Sequence, residues 1–433
     1  MRVLLLLSFI MTNLLSFGQS SIGIFNLSKD VGDPKLKGHS SFDDSNQTYT
    51  LSGSGYNIWF ERDEFHYLYN QINGDFILTA NFGFPGDGHN GHRKIGWMVR
   101  ESEDAMAAHI SATLHGDGLT VLQWRELKGA FMRDPEDEIF SPKSNYTILQ
   151  LERKGNTFIM RAAHPGEPLQ LIGKHRMEDM PEKVLAGLFI CSHDPEVMES
   201  GEAWNVRIDR EVPLGYDAYR QGRLPSRLEV MDVMTGKRKV IYESDAGFEA
   251  PNWTPDGQSL IINQDGGIYK IPVSGGSLTR INTGEANNNN NDHGISPDGQ
   301  WLAISSHRSS QNGGGSTVYV LPLEGGTPKQ VTNLTPSYWH GWSPDSKSVL
   351  YVGKRDGDDY HLFSADIATG TEKQLTFFKN SHVDGPEYDP AGKHIYYNGT
   401  QSGTMQIWRM DPNGKNNEQL TFDEYNDWFP HIS

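Results

Sequence analysis

The amino-acid sequence predicts an all-β protein with two differently built halves, and three observations lead to this fold class. The 433 residues include 46 glycines and 22 prolines, about one residue in six, which is typical of short strands joined by tight turns. Helical periodicity is scarce, while short alternating or apolar runs recur along the first half. The second half repeats one motif at intervals of about 45 residues, which indicates a chain of similar β units.

The first eighteen residues have the pattern of a targeting segment rather than of a folded element. A short basic start is followed by an apolar run over 3–15 and by small residues at Ser16 and Gly18. This pattern is typical of a secretory signal peptide, since the apolar run is too short to span a bilayer. We therefore expect residues 1–18 to be removed and the remaining chain to be periplasmic or secreted, without a membrane span.

Charge and cysteine content exclude several classes of protein. The chain carries 38 Lys and Arg against 55 Asp and Glu, which gives a net charge of −17. Nucleic-acid binding depends mainly on neutralising phosphates with Lys and Arg, so this balance argues against a nucleic-acid partner. The single cysteine, Cys191, lies in an apolar strand-like run and excludes an internal disulfide, so the stability must come from packing.

Residues 20–212 are predicted to form a β-sandwich of the jelly-roll type. About eight strand-like runs are separated by turn clusters rich in Gly, Asp and Asn. Four motifs then follow in order, at 75–80 (Asp-Phe-Ile-Leu-Thr-Ala), 96–100 (Gly-Trp-Met-Val-Arg), 115–119 (His-Gly-Asp-Gly-Leu) and 123–125 (Gln-Trp-Arg). This series resembles the concanavalin-A-like lectin and glucanase sandwiches, and the resemblance covers roughly residues 25–210.

The resemblance implies a carbohydrate-binding face on the concave sheet. In such a face, aromatic rings stack on sugar rings while Arg, His and Asp side chains bind the hydroxyls. The residues that fit this pattern are Arg100, His115, Asp117, Trp124 and Arg125. The alternative is structural, with Trp124 in the core, Arg100 paired with an acid and the segment around His115 forming a hairpin turn. No pair of catalytic carboxylates stands out, so this half is predicted to bind rather than to hydrolyse.

Residues 226–433 contain an internal repeat that predicts a β-propeller of four-stranded blades. Four segments align, namely 251–257, 293–299, 340–346 and 386–392, and each carries a Pro-Asp-Gly turn or a close variant of it. Each is followed by a strand, a Gly-bearing turn and, in later units, a Gln-Leu-Thr ending. This combination resembles the TolB-like, WD-repeat-like propellers of exported bacterial proteins, and the period fits their blades.

The repeat count sets the predicted organisation of this half. After a linker over 213–225, the sequence predicts half a blade, four whole blades and the first strand of another, which ends at Ser433. A ring needs its last outer partner to close, so we expect a propeller that is truncated at the C-terminus. Closure by another segment or by a second chain is the alternative. The sandwich also differs from TolB itself, whose propeller carries a small α/β domain.

Residues just before each repeated turn belong to the innermost strand, whose start is expected to line one mouth of the channel. In successive blades these positions hold His293, His340, Glu387 and His431. Imidazoles and a carboxylate that converge from different strands predict a divalent metal site. The arrangement is similar to that of the oligogalacturonate lyases, propellers that hold a metal with histidines from adjacent blades. The alternative is a polar, hydrated channel lining.

These observations favour a non-catalytic, exported recognition protein that binds polysaccharide or an envelope protein. A metal-assisted polysaccharide lyase or hydrolase with its site at the propeller mouth is one alternative, and a TolB-like envelope scaffold is another. No catalytic residue is assigned, because Lys354, Arg355 and Tyr338 are candidate bases only by their closeness in sequence. Apart from the divalent metal ion, no cofactor is expected.

Overall fold

The computed structural model describes residues 21–308, 315–355 and 357–432, and the predicted signal peptide lies outside them. These residues divide into two compact units, which separate after Tyr216, with Met231–Lys239 counted in the first unit. One short helix, α1 (Ala218–Gln221), is present in the described chain, and the other regular elements are strands. The all-β prediction is therefore confirmed, and the two units are described separately.

Sixteen strands belong to the described part of the first unit. They are β1 (Leu27–Val31), β2 (His39–Asp43), β3 (Thr48–Gly55), β4 (Ile58–Trp59), β5 (Arg62–Asp63), β6 (Phe65–Asn73), β7 (Phe76–Gly83), β8 (Lys94–Arg100), β9 (His109–His115), β10 (Thr120–Arg125), β11 (Glu138–Phe140), β12 (Ile148–Lys154), β13 (Thr157–Ala163), β14 (Gln170–Arg176), β15 (Lys183–Cys191) and β16 (Asp194–Asp209). They form two seven-stranded sheets, β1-β6-β15-β8-β9-β10-β11 and β14-β13-β12-β7-β16-β3-β2, and β4 pairs with β5 in a short ribbon.

Alternation along the strands gives these two sheets a shared core. Phe76 and Leu78 on β7 and Ile95 and Trp97 on β8 are all buried in one cluster, although the two strands belong to different sheets. Successive side chains of a strand point to opposite faces, so each sheet contributes one apolar face to this cluster. Two antiparallel sheets around one core are thus observed, while the specific likeness to concanavalin-A-like lectins stays a prediction.

The second unit begins with a two-stranded sheet, β17 (Ser226–Met231) and β18 (Arg238–Ser244), and continues with four four-stranded sheets. Their strands, in chain order and in four successive sets of four, are β19 (Glu249–Trp253), β20 (Ser259–Gln264), β21 (Gly267–Pro272), β22 (Thr279–Ile281), β23 (Asn289–Ile295), β24 (Trp301–His307), β25 (Ser316–Pro322), β26 (Lys329–Gln330), β27 (Ser337–Trp342), β28 (Ser348–Gly353), β29 (His361–Asp366), β30 (Glu372–Gln374), β31 (Val383–Tyr388), β32 (Ile395–Gly399), β33 (Gln406–Met410) and β34 (Glu418–Gln419). Each set pairs in sequence order, as the blade of a propeller does.

The repeated Pro-Asp-Gly turn is held by its own side chains. Asp298 accepts hydrogen bonds from the Ser296 hydroxyl at 2.5 Å and from the backbone N–H of Gln300 at 3.0 Å. Gly299 follows with a φ of 70°, a conformation that glycine adopts without strain. Because the turn is satisfied internally, it fixes the end of the inner strand and the residues that directly precede it.

Candidate functional site

A cavity of about 720 Å³ lies toward the carboxyl ends of the inner strands of the second unit, beside the repeated turns, rather than at the starts of these strands. Its lining comes from β19, β23, β27 and β31 and from the segment 429–432. All four residues that the repeat predicted for the propeller mouth line this cavity, namely His293, His340, Glu387 and His431. Equivalent positions of successive blades thus meet in one place, as the repeat predicted.

A bulge at the same point of each inner strand helps to shape this cavity. The pairing register shifts between Glu249 and Asn252 on β19 and between Asn289 and His293 on β23. It shifts again around His340 on β27 and between Asp384 and Glu387 on β31. A bulged residue leaves the ladder and re-aims its side chain, so the bulges supply lining residues that strict alternation would place elsewhere.

His340 forms an ionic pair with Asp384 of the next blade. The His340 Nε2 atom lies 2.9 Å from Asp384 Oδ1, and His382 Nε2 lies 3.8 Å from the other oxygen of that carboxylate. Burial disfavours a charged His340, but the Asp384 hydrogen bond and the charges of Asp292 and Asp384 raise its pKa above the ordinary value. Burial also disfavours a charged Asp384, yet hydrogen bonds from both histidines lower the pKa of this carboxyl. The ionic form of the pair is therefore favoured.

Asp292 is a second carboxylate of the cavity, and it has no close counter-ion. Its Oδ2 atom accepts a hydrogen bond from Asn290 Nδ2 at 2.6 Å. Among the described residues, no Lys, Arg or His nitrogen lies within 4.0 Å of its oxygens. Burial raises the pKa of Asp292, and the charge of Asp384 adds to this, while His340 opposes both. A cation that entered the cavity could therefore form a direct ion pair with Asp292, which otherwise has only the more distant charge of His340.

His293 occupies the same repeat position as His340 but is held in the neutral form. Its side chain is 3% exposed, and Nδ1 lies 3.2 Å from the carbonyl oxygen of Asn291. Burial lowers the pKa of His293 to about 4, although hydrogen bonds to backbone carbonyls oppose the shift. The difference between the two histidines follows from Asp384, which gives His340 a carboxylate partner that His293 does not have.

The metal ion remains a prediction. His431 Nδ1 lies 2.7 Å from Glu387 Oε2, so two of the four predicted ligands bind each other at the exposed rim of the cavity. Within the ranges that the structure describes, no group of three or more His, Cys, Asp or Glu side chains is placed to hold a metal ion. His340 likewise has a carboxylate partner, so the geometry present is that of ion pairs.

Aromatic side chains form the apolar part of the cavity. Trp339 is buried, and Trp342 Nε1 donates a hydrogen bond to the carbonyl of Gly294 at 3.1 Å. The ring of Phe429 stacks near His340, with 5.9 Å between ring centroids, and almost half of Phe429 is exposed. The cavity therefore offers apolar walls next to carboxylates.

The predicted carbohydrate residues of the first unit require correction. Arg100 and Arg125 are completely buried and bind the same buried carboxylate, Asp63, with N–O distances of 2.7 and 2.6 Å. Every residue of β8, β9 and β10 is buried, because other parts of the chain cover both faces of these strands. The two arginines are thus structural, since a buried charge is retained only with a partner.

The other three predicted sugar-binding residues have the packing and turn positions that the alternative expected, namely Trp124, His115 and Asp117. Trp124 is 6% exposed, belongs to the core and stacks on His175 with ring centroids 3.8 Å apart. His115 is 5% exposed, and burial holds its pKa well below the ordinary value. Asp117 is exposed and accepts the backbone N–H of Leu119 at 3.0 Å within a turn. Four of the five residues are thus buried and do not form the exposed sugar-binding surface that the motif order predicted, and Asp117 alone is exposed.

Sequence reasoning did not assign Asp292 and Asp384 to the site, although a signal for them was present. They stand five and six residues before a repeated proline, since 297 − 292 = 5 and 390 − 384 = 6. Both carboxylates lie at the register shifts of their inner strands. An alignment of the repeats that extended further upstream would have marked both carboxylates.

Comparison with known proteins defines the class as a β-propeller protein. Residues 211–382 match the family model described as the TolB beta propeller domain. An uncharacterized protein of Agrobacterium fabrum (strain C58) is 45% identical over 213 residues, which are 49% of this chain and 71% of that protein. The chain therefore belongs to the TolB-like β-propeller family.

Two solved structures are also similar to this chain. A TolB candidate from Agrobacterium tumefaciens shares 44% identity over 49% of this chain and 75% of its own, with a TM-score of 0.45. TolB from Acinetobacter baumannii shares 18% identity over 79% of this chain and 66% of its own, with a TM-score of 0.39. Separately, no helix in the described part of the chain is long and apolar enough to cross a membrane.

Proposed function

We propose that this protein is an exported, periplasmic scaffold of the TolB-like type that binds a protein segment in the propeller cavity. The cavity carries the proposal, because ion-paired histidines, a carboxylate without a close ion pair and aromatic walls meet there. Membership of the TolB-like family supports a role in the cell envelope. A pocket with apolar walls and a few placed polar groups suits a bound side chain better than a flat surface does.

The charges of the cavity favour a basic partner segment. Its lining includes the carboxylates of Asp292, Glu387 and Asp389 but, among the described residues, no Lys or Arg. No Lys, Arg or His nitrogen of the described residues lies within 4.0 Å of the Asp292 carboxylate, so a Lys or Arg side chain would add a direct ion pair to the attraction that His340 exerts. The apolar stem of such a side chain would pack against Trp339 and Phe429 while its charged end reached the carboxylate. We therefore take the partner to be a protein segment that carries Lys or Arg.

Site-specific photocrosslinking tests this proposal in cells that export the protein. A benzophenone amino acid at Asn252, which lines the cavity, should yield one envelope protein as a discrete adduct. The same probe at Lys347, an exposed residue outside the lining, is the matched control and should yield none. Asp292→Asn should weaken the adduct at position 252. Equal crosslinking at both positions, or an adduct that is insensitive to Asp292→Asn, would refute a basic partner in the cavity.

The same protein preparation separates a protein partner from a metal ion. Calorimetric titration with Zn²⁺ at neutral pH should show no stoichiometric uptake that depends on His340 and His431. Zn²⁺ uptake by the native protein that is lost in the double variant His340→Ala, His431→Ala would instead favour a metal site and a metal-assisted enzyme. The fold of that variant can be checked through its thermal unfolding curve.

A further inference from the structure

A serine, a histidine and an aspartate stand in line in the first unit, far in sequence from the propeller. Ser40 lies on β2, His66 on β6 and Asp30 on β1. Ser40 Oγ is 3.0 Å from His66 Nε2, and His66 Nδ1 is 2.7 Å from Asp30 Oδ1. These are the contacts through which an aspartate orients a histidine that takes the proton of a serine.

The imidazole of His66 is fixed from several sides. Its side chain is 3% exposed, and a Cβ atom added to Gly38 would lie 2.5 Å from the ring. A Cβ atom on Gly53 would lie 2.9 Å from the Cβ of His66. Glycine at both positions therefore makes room for the ring, and the carboxylate of Asp30 also accepts the backbone N–H of Gly38 at 3.1 Å. A ring held in this way is preorganised for one orientation.

The contact with Asp30 determines which ring nitrogen acts as the base. When His66 donates its Nδ1–H to the carboxylate, Nε2 keeps its lone pair and accepts a hydroxyl proton. Two hydroxyls compete for that lone pair, because Ser28 Oγ lies 3.1 Å away and Ser40 Oγ lies 3.0 Å away. Ser40 Oγ is the nearer of the two, so we take Ser40 as the candidate for a hydroxyl activated by His66.

We propose that Ser40 is a nucleophile toward small carboxylic esters, with His66 as its general base and Asp30 as the residue that orients the base. Ser40 Oγ bonds to the ester carbonyl carbon while its proton passes to His66 Nε2. The ester C–O bond then breaks, and the alcohol leaves with that proton. Water attacks the acyl-serine, gives one proton to His66 and releases the carboxylic acid, after which the proton returns to Ser40. Water is the only other reactant, and Ser40 is half-buried, so part of the residue is exposed to solvent, which access by a small ester requires.

A fluorophosphonate probe tests the reactivity without knowledge of the natural substrate. The Ser40 Oγ–P bond forms, the P–F bond breaks and the serine proton leaves with fluoride. We expect the intact mass to increase by one phosphonate, and peptide mapping to place it on Ser40. Ser28→Ala should still label on Ser40, at the native rate or faster, because it removes only the hydroxyl that competes for His66 Nε2. Ser40→Ala should not label, and His66→Gln should label at least about 100-fold more slowly, as loss of a general base predicts.

Two further measurements separate reactivity from folding. Asp30→Asn keeps the side-chain volume, and it should slow labelling while the thermal unfolding curve still shows a folded first unit. Labelling on Ser28, labelling that is unchanged in Asp30→Asn and His66→Gln, or no labelling under conditions that label a serine esterase would overturn the proposal.

Discussion

The buried imidazole of His293 should make the second unit less stable in mild acid, and replacing it with glutamine should remove this effect. The pKa of His293 is about 4 in the folded protein, whereas the ordinary value of 6.5 applies once the chain unfolds. Between pH 6.5 and about pH 4, the imidazole of His293 binds a proton in the unfolded chain but stays neutral in the folded protein. Folding therefore loses stability as the pH falls from 6.5 toward 4.

The magnitude follows from the difference between the two pKa values. One pKa unit corresponds to about 1.36 kcal/mol, so the difference between 6.5 and about 4 corresponds to about 3 kcal/mol at most. Glutamine carries no titratable group, and its amide can donate to the carbonyl of Asn291 as the imidazole does. Other histidines contribute to both proteins alike, so the difference between native and His293→Gln isolates this one site.

Urea unfolding at pH 7.5, 6.5, 5.5 and 4.5, followed by tryptophan fluorescence, measures this difference. The native protein should lose stability relative to His293→Gln as the pH falls, with most of the change below pH 6.5. His431→Gln is the matched control, because the His431 side chain is 84% exposed and its loss should leave the native pH dependence in place. Parallel stability curves for the native protein and His293→Gln between pH 7.5 and 4.5 would refute the reasoning.

Three further changes test other parts of the structure. Asp384→Asn should lower the pKa of His340, because it removes the carboxylate that stabilises the imidazolium. The native pair stabilises the fold at low pH and loses this contribution as the pH rises through the pKa of His340, so the variant should lack this pH-dependent contribution. A proton-carbon correlation spectrum of the histidines measures this titration. Asp63→Asn should destabilise the first unit by about 3–5 kcal/mol, because two buried arginines lose their carboxylate, and its melting temperature should fall. Gly294→Ala should cost about 1–3 kcal/mol, because the added Cβ would lie 2.0 Å from the Trp339 ring, and the tryptophan emission should change.

The repeat made the propeller and its mouth predictable from sequence. Four turn motifs in phase specify four blades, and equivalent positions around an axis must meet, which is why His293 and His340 line one cavity. Their protonation was not predictable, because it depends on a carboxylate from the neighbouring strand. Asp384 reaches His340 across 44 residues of sequence, since 384 − 340 = 44, and only the bulged geometry brings the two side chains together.

The first unit shows why motifs on strands are a poor guide to exposure. Period-2 alternation predicts that one face of a sheet is apolar, but it leaves open whether the other face meets solvent. Arg100 and Arg125 lie on that other face, and the ribbon that carries Asp63 covers them. Asp63 precedes Arg125 by 62 residues, since 125 − 63 = 62, so the pairing is a product of the tertiary fold. The presence of arginine on these strands therefore did not indicate a sugar-binding surface.

The bulges of the inner strands have a consequence for how such a protein can change its partner. Residues skipped by the ladder register, such as His340 on β27, are not tied to the residue across the strand pair. A substitution there alters the chemistry of the mouth without altering the pairing that keeps the blade intact. Within this one chain, equivalent positions already hold histidine in two blades and proline in others, as at Pro251 and Pro386. Recognition and stability can thus vary independently, one blade at a time.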